Sequence, residues 1–497
     1  MTAGRIDYAD VQGLVRFGYR LMTEASYVLA RVKSAGAARA WLRSARVTSA
    51  VVQAPPPPTA LQIAFTSSGL DALGVPRPVL DAFSPEFLGG MTETSRARRL
   101  GDVDANAPES WEWGSGAAVP HLLVMFFAEP GRLAGFMQSA TGPGWDAAFE
   151  TVKCLTTSNL DGVEPFGFAD GISQPAVDWN DERTRSKARG LDYSNLTALG
   201  EFLLGYPNEY DKYTDRPLLD ADARSAQLLP AEDAPQKKDL GRNGTYLVMR
   251  QLRQDVRSFW QFAYRAAGAD HAHAEQLASA FVGRTRDGVP LVPISDHPIE
   301  GVGSDPDEIR RNRFTFDGDP TGARCPFGAH IRRANPRNAD YPGRPTGLAR
   351  LLADLGFGPK GFRDDLMSSV RFHRILRRGR EYGPSLSTSD ALQPAPTGDL
   401  ERGLHFICLN ANISRQFEFL QNAWMVNTKF SGLTGESDPL VGTREPETGC
   451  PVVDSFTVQS DGGLRTQVAA LPRFVTVRGG AYFFLPGLRA LSYIAGP

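Results

Sequence analysis

The chain has 497 residues, 41% of them hydrophobic and 22% charged, with a formal net charge of -2 at pH 7. This length suggests about three domains, or two larger ones. Nucleic acids and anionic membranes attract a large basic excess, which the chain lacks, so we expect neither as a partner. No segment approaches the roughly 18 consecutive apolar residues of a membrane-spanning helix.

The beginning of the chain and its cysteines predict a cytoplasmic protein. The first residues, MTAGRIDYADVQGLVRFGYR, lack the basic segment and continuous apolar run of a secretory signal. The cysteines are few and far apart, which fits reduced thiols better than a framework of disulfides. They are Cys154, Cys325, Cys408 and Cys450.

The first part of the chain alternates between strand and helix patterns. Apolar residues alternate in SYVLARV (26–32) and follow helical spacing in AGAARAWLRSARV (35–47). The same order of a strand and then a helix recurs twice more. The strand LQIAF is followed by the helix SSGLDALGV, and the strand HLLVMFFA (121–128) is followed by the helix GRLAGFMQSA (131–140). The stretch 83–119 has no period, and we expect it to be irregular. This order predicts a ferredoxin-like unit, in which two helices cover one face of an antiparallel sheet.

A second unit with the same order follows a polar, loop-rich connection. Strand patterns occur in GTYLVMRQL (244–252) and GLHFICLNA (403–411), each followed by a helical pattern, at 255–268 and 413–427. The sequence therefore predicts an α+β fold of two ferredoxin-like domains, each an antiparallel sheet with helices packed on it. We place these domains at residues 1–178 and 244–497, with the connection at 179–243.

One candidate site lies in CPFGAHIRRANPR (325–337), where His330 follows a turn and precedes Arg332, Arg333 and Arg337. A neutral imidazole is a ligand of haem iron, and arginines pair with haem propionates. The alternative is an ordinary core or loop histidine, which is the commoner case for a histidine alone. The chain has no CxxCH motif, so any haem would be bound without thioether links.

Two further stretches, FGFADGISQP (166–175) and RILRRGREYGP (374–384), complete a pattern with the first. Either one alone is weak, because Asp-Gly is an ordinary turn dipeptide and paired arginines are usually solvated. In this order the three stretches resemble the haem site of the dye-decolorizing peroxidases, whose GxxDG motif corresponds to 167–171. The resemblance extends through 65–75, 244–252, 403–419 and 479–487, and so over nearly the whole chain.

The resemblance implies a role for each of three residues around one non-covalently bound haem b per chain. His330 matches the proximal iron ligand of the family. Asp170 matches the distal carboxylate that moves a proton between the two peroxide oxygens. Arg377 matches the distal arginine that stabilises the negative charge formed as the O–O bond breaks.

The resemblance also implies a set of cofactor-binding residues. Arg337 matches a propionate partner, and Asn335 lies in the same motif; Gly171 helps to bring the turn close to the porphyrin. Leu404 and Phe406 match apolar residues of the distal pocket. The hydrogen-bond partner of His330 stays open at this point, with Asn412 and Glu418 lying in a suitable segment.

We therefore predict a haem peroxidase that uses hydrogen peroxide to oxidise phenols, aromatic amines or dyes through a ferryl intermediate. The alternative is a cytosolic haem-handling or haem-storage protein with little turnover. The physiological electron donor, the surface oxidation site, the pH optimum and the oligomeric state are not predicted.

Overall fold

The computed structural model describes residues 6–142, 144–183, 193–338, 369–444, 453–462 and 464–496. Four strands form the first unit: β1 (Glu24–Val32), β2 (Thr59–Phe65), β3 (Leu122–Ala128) and β4 (Phe149–Thr156). Four short strands lie at the start of the connection or within it: β5 (Ala176–Asp178), β6 (Leu196–Ala198), β7 (Leu218–Leu219) and β8 (Lys238–Asp239). The remaining strands are β9 (Thr245–Gln254), β10 (Leu376–Arg377), β11 (Arg380–Tyr382), β12 (Gly403–Asn410), β13 (Phe456–Val458), β14 (Thr466–Val468) and β15 (Val475–Leu485).

The helices are short. Those before residue 150 are α1 (Ala35–Ser44), α2 (Ser67–Ala72), α3 (Arg77–Leu80), α4 (Pro85–Gly89), α5 (Thr94–Leu100), α6 (Leu133–Ala140) and α7 (Trp145–Ala148). Those after it are α8 (Val256–Ala266), α9 (His271–Val282), α10 (Pro306–Asn312), α11 (His330–Ala334), α12 (Thr388–Ala391) and α13 (Leu488–Ala495). The segment predicted as a helix at 413–427 is helical with π-type turns, at Ser414–Glu418 and Leu420–Met425.

The two units repeat one strand order. The first unit runs β2-β3-β1-β4. In the second unit β10 and β11 both pair with β12 and together take the place of one strand, and the order continues β12-β9-β15. In each unit the first strand in the chain therefore lies between the third and the fourth. The neighbouring pairs are antiparallel. The predicted α+β fold of two ferredoxin-like units is confirmed. The sequence did not predict that β15 would pair with β2 at Phe484 and Phe65, which joins both units into one nine-stranded sheet.

Both faces of this sheet are buried, as β3 illustrates. All seven residues of β3 are buried; Leu122, Val124 and Phe126 face a core that also contains residues of α1, α2 and α13. Their neighbours Leu123, Met125 and Phe127 face a second core, formed with the segments 11–22 and 199–206. Successive strand residues point to opposite faces, so a sheet covered on both sides needs continuous apolar runs. The half-buried alternation predicted for 26–32 was therefore wrong, because β1 is buried along most of its length.

The stretch 83–119 is also more ordered than predicted, since it contains α4, α5 and three single turns of 3₁₀-helix. These helices are too short to show a period, but capping side chains start them: Ser84 accepts from the Phe87 amide, and Glu93 accepts from the Ser95 and Arg96 amides. Between the second and third of these turns, Trp113 forms a bridge with Gly479 of β15. The stretch therefore packs against the second unit.

Three cysteines of the described chain, Cys154, Cys325 and Cys408, are free thiols, while Cys450 lies outside the described residues. Among the residues that the structure covers, no helix combines the length and apolar composition needed to cross a bilayer. The cytoplasmic location and the domain limits at 178 and 243 stay predictions.

Candidate active site

A cavity of about 340 Å³ lies over the second half of the sheet. Its floor is one face of three neighbouring strands, where the strand register aligns Leu404 with Leu252 and Phe406 with Arg250. Val475 and Val477 of β15 extend this floor. The walls come from α11, the π-helical segment and the loop 164–175. Leu404 and Phe406, predicted to line a distal pocket, therefore do line a cavity.

His330 enters the cavity from α11, of which it is the first residue. A turn closed by the Ala329 amide and the Pro326 carbonyl, 3.0 Å apart, precedes it. The Nδ1 atom of His330 lies 2.9 Å from Oδ2 of Asp438. A carboxylate can only accept, so Nδ1 carries the proton and Nε2 is the ring nitrogen with a lone pair to offer a ligand.

Asp438 is held as an anion by the groups around it. Its side chain is fully buried, and Oδ1 accepts from the amides of Leu440 and Val441, both at 2.9 Å. Burial opposes its ionisation, but His330 and these hydrogen bonds lower the pKa of Asp438 below its usual value. Burial likewise disfavours the charged form of His330, yet the facing carboxylate raises the pKa of His330. The pair is therefore an imidazole made electron-rich by an anionic partner.

Asp170 reaches the cavity from a tight loop in the first part of the chain. The Asp170 amide donates to the Gly162 carbonyl at 2.9 Å, and the Ala169 amide donates to the Arg286 carbonyl at 2.8 Å. Gly167 and Gly171 have φ angles of +96° and +66°, a region that glycine adopts without strain. Gly171 also lies against Arg20, which a β-carbon would meet. The carboxyl side chain of Asp170 is 27% exposed and lines the cavity.

Arg377 lies beside Asp170 at the end of β10. Its Nη1 atom is 3.4 Å from Oδ1 of Asp170, and its Nη2 donates to the Ser173 carbonyl at 2.9 Å. Its amide donates to the Gln174 side chain at 3.0 Å. The guanidinium is thus fixed against the loop that carries Asp170, and both side chains face the cavity that His330 enters.

Further positive charge lies in the cavity wall, at Arg284, Arg337 and Arg374. Arg284 donates to the Gly288 and Arg311 carbonyls, and Arg374 to Asn195 and the Ser194 carbonyl. Burial, together with the charges on Arg337 and Arg377, lowers the pKa of Arg284 to about 9. Within the residues described, neither Arg284 nor Arg374 forms a salt bridge with a carboxylate. This wall is therefore suited to an anionic ligand.

Two of the three arginines after His330 have other roles. Arg332 pairs with Asp319 at 2.9 Å, and Arg333 donates to the backbone carbonyls of Trp424, Asn427 and Glu436. Neither Arg332 nor Arg333 lines the cavity, and the resemblance had assigned only Arg337 to a propionate. Arg337 and Asn335 do line the cavity; Arg337 donates to the Phe314 carbonyl at 2.6 Å, and Asn335 donates to the Tyr193 hydroxyl at 3.3 Å.

The partner of His330 was also missed. Glu418 accepts from Arg96 and Tyr482, and Asn412 caps the Arg415 amide, so neither contacts His330. Asp438 lies in ESDPL, beyond both, and no spacing connects it with position 330. Arg284, Arg374 and Glu164 also line the cavity without having been predicted. Of these three residues, only Arg374 could have been suspected from the sequence, because it is the first residue of the stretch 374–384 that matches the family.

The residues present fit a haem better than a bare metal ion. No group of three or more His, Cys, Asp or Glu side chains within the described ranges could hold an ion. His330 could therefore hold iron if a macrocycle supplied the other ligands. The apolar floor suits such a ring, and the wall with Arg284 and Arg374 suits its propionates.

Relatives of the chain support this interpretation, although no protein-family model matches it. The chain is 29% identical over 465 residues to a dye-decolorizing peroxidase of Mycetinis scorodonius, covering 88% of this chain and 77% of the relative. It is 27% identical to a dye-decolorizing peroxidase of Auricularia auricula-judae, covering 99% and 87%. It is 28% identical to a multifunctional dye peroxidase of an Amycolatopsis species, covering 87% and 81%.

Solved structures agree in fold. A peroxidase structure from Auricularia auricula-judae superimposes with a TM-score of 0.73 at 24% identity, covering 99% of this chain and all of the other. A dye-decolorizing peroxidase in complex with 2,6-dimethoxyphenol gives a TM-score of 0.70 at 24% identity, with the same coverage. In sequence, fold and cavity the chain is thus similar to haem peroxidases. The resemblance to the dye-decolorizing peroxidases is confirmed along its length.

Proposed function

We propose that the protein is a peroxidase that binds one haem b non-covalently in the cytoplasm and uses hydrogen peroxide to oxidise small aromatic donors. The observation that carries this proposal is the placing of His330, Asp170 and Arg377 around one cavity. Domains 1–178 and 244–497 would each contribute to the site. The 2,6-dimethoxyphenol bound by a similar structure makes phenols the first donors to test.

The proposed chemistry divides between His330 and the Asp170–Arg377 pair. His330, made electron-rich by Asp438, would bind the haem iron through Nε2, and Arg284, Arg337 and Arg374 would bind the propionates. The bound haem supplies the oxidation-reduction chemistry. Asp170 would take a proton from one oxygen of hydrogen peroxide and return it to the other, so that water leaves. Arg377 would stabilise negative charge on the departing oxygen.

The overall reaction converts one hydrogen peroxide and two phenol molecules into two water molecules and two phenoxyl radicals. Leu404 and Phe406 line the same cavity as Arg377, and we propose that these apolar side chains favour peroxide over larger molecules there. The donors would then react from outside this narrow region.

The experiment is to titrate the purified chain with hemin and then mix it with hydrogen peroxide and 2,6-dimethoxyphenol in stopped flow. We expect a Soret band that saturates at one haem per chain, and repeated turnover of the phenol. Haem uptake followed by bleaching or release, without turnover, would instead support the haem-handling alternative. A chain that stays colourless would contradict both.

A further inference from the structure

A single carboxylate organises the loop from which Asp170 projects. Glu164 accepts the Phe168 amide through Oε1 and the Phe166 amide through Oε2, both at 3.0 Å. Its backbone closes the same turn, because the Glu164 amide donates to the Phe168 carbonyl at 2.9 Å and the Gly167 amide to the Glu164 carbonyl at 2.7 Å. The turn is therefore built around this one residue.

The turn is anchored to the core and leads directly to Asp170. The ring of Phe166 stacks on Phe259 with centroids 4.5 Å apart, and Trp260 Nε1 donates to the Phe166 carbonyl at 3.1 Å. Asp170 follows Phe168 by two residues, and between them only backbone hydrogen bonds fix the chain. The direction in which Asp170 points thus depends on the geometry of the turn.

The three groups that face Glu164 all donate, which suits an ionised carboxylate. The third donor is Gln254 Nε2, which lies 2.6 Å from Oε2. A glutamine at 164 would turn its NH₂ group toward an N–H donor in either orientation, because both carboxylate oxygens accept from N–H groups. Among the described residues, Glu164 has no cationic partner within salt-bridge distance.

This arrangement has an energetic cost. Enclosure raises the pKa of Glu164 to about 7, although the amides and Gln254 oppose the shift. An anion without a cation destabilises a fold, and such groups concentrate where a site requires them. Glu164 lines the same cavity as Asp170.

We propose that Glu164 is a positioning residue, which acts through the turn 164–168 to hold Asp170 toward the cavity and Arg377. Glu164 itself exchanges no proton with peroxide in this role. The inference rests on the proposed peroxidase function, and the experiment below separates the failure of one from the failure of the other.

The first experiment measures the protection of the amides in the turn and does not depend on enzymatic activity. Amide hydrogen exchange is compared between the full-length protein and its Glu164→Gln variant, both with and without haem. We expect at least tenfold faster exchange at Phe166 and Phe168. Glu93→Gln is the matched control, because Glu93 also accepts two backbone amides, those of Ser95 and Arg96, but is exposed and far along the chain. Its effect should stay at those two amides. Unchanged exchange at Phe166 and Phe168 would overturn the proposal.

The second arm tests whether Glu164 acts through Asp170. The second-order rate constant with hydrogen peroxide should fall by about 10- to 100-fold in Glu164→Gln, while the later reaction with the phenol is unchanged. In an Asp170→Asn background the same substitution should have no further effect, because nothing is left to position. Equal losses in both backgrounds, or no loss in either, would overturn the inference. A wild-type protein that ignores peroxide would instead overturn the proposed function.

A third variant covers the case in which Glu164→Gln does not fold. Glu164→Asp keeps the negative charge but is shorter by one methylene, so it reaches one amide instead of two. We expect intermediate exchange rates and an intermediate peroxide rate constant. Wild-type values for both in this variant would contradict the proposed need for two amide contacts.

Discussion

Nη1 of Arg377 lies 3.4 Å from Oδ1 of Asp170, although 206 residues of chain separate the two. Asp170 comes from the loop that follows the first ferredoxin-like unit, and Arg377 ends a strand of the second. A guanidinium beside a carboxylate keeps that carboxylate available as an acceptor, and its own planar group retains donors for a further ligand. The contact therefore assembles an acid/base group and a fixed charge at one point of the cavity.

Replacing Asp170 should slow the reaction with peroxide. In Asp170→Asn we expect the second-order rate constant to fall by about 10²- to 10⁴-fold, the usual contribution of a general acid/base. Haem binding should persist, because His330 is unaltered. Stopped-flow absorbance measures the rate, and hemin titration measures the binding. Asp161→Asn, an exposed change in the same loop, is the control and should react like wild type.

Arg377 and Arg378 offer a matched pair of adjacent substitutions. Arg377→Lys keeps a positive charge but loses the planar fork, so the peroxide rate constant should fall by roughly 10- to 1,000-fold. Arg378 donates away from the cavity, to the Leu14 and Val15 carbonyls. Arg378→Lys should lower the midpoint of urea unfolding and leave the peroxide rate constant of the folded protein unchanged. The reverse pattern would show that the two roles had been exchanged.

Asp438→Asn should change the reduction potential of the bound haem without preventing haem binding. The anion facing Nδ1 of His330 is replaced by a neutral amide, so electron density at the ligand falls and the reduction potential of the bound haem should rise. Spectroelectrochemical titration measures the potential. Asp461→Asn, whose side chain accepts from Thr321 on the surface, is the control. An unchanged potential in Asp438→Asn would contradict the proposed influence of the pair on the iron.

The buried side chain of His405 should make the stability of the fold depend on pH. Burial lowers the pKa of His405 to about 4, and its Nε2 lies 3.0 Å from the Thr156 carbonyl. Between about pH 6.5 and 4 the unfolded chain binds a proton that the folded chain does not, so stability falls as pH falls through this range. The loss from this one group is roughly 3 kcal/mol when complete.

Urea unfolding of the haem-free protein between pH 4 and 7 checks this expectation. His405→Phe keeps a ring for the stack on Tyr382 and removes the titration, so its stability should vary less across the same range. A variant with the wild-type slope would contradict the assignment of this effect to His405.

Much of the fold was predictable because the two units follow local rules. Strand and helix periods gave the order of elements, and the strong apolar run of β3 gave its burial. The pairing of Phe484 with Phe65 was not predictable, because contact between sheets of different units leaves no period in either strand. The π-type turns after Ile413 were not predictable either, because their apolar residues keep a spacing that is also typical of an α-helix.

The candidate site shows the same limit. Motifs identified His330, Asp170 and Arg377, which the structure brings to one cavity, while their roles stay proposals. Asp438 could not be found, because its contact with His330 spans 108 positions and depends on how the chain returns beneath α11. The arginines after His330 could not be told apart for another reason: Arg332 and Arg333 lie on α11 while Arg337 lies beyond its end, and only packing decides which of them reaches the cavity.

The pairing of β15 with β2 has a further consequence for the behaviour of the chain in a crowded solution. Two separate sheets would present four open edges, each a template for pairing with another chain. In the joined sheet, β2 and β15 pair at Phe65 and Phe484, the Thr48 amide donates to the Leu61 carbonyl farther along β2, and Trp113 covers β15 at Gly479. Their sequences, TALQIAF and VTVRGGAYFFL, are the kind that aggregates when exposed. The seam between the halves thus protects the chain against self-association.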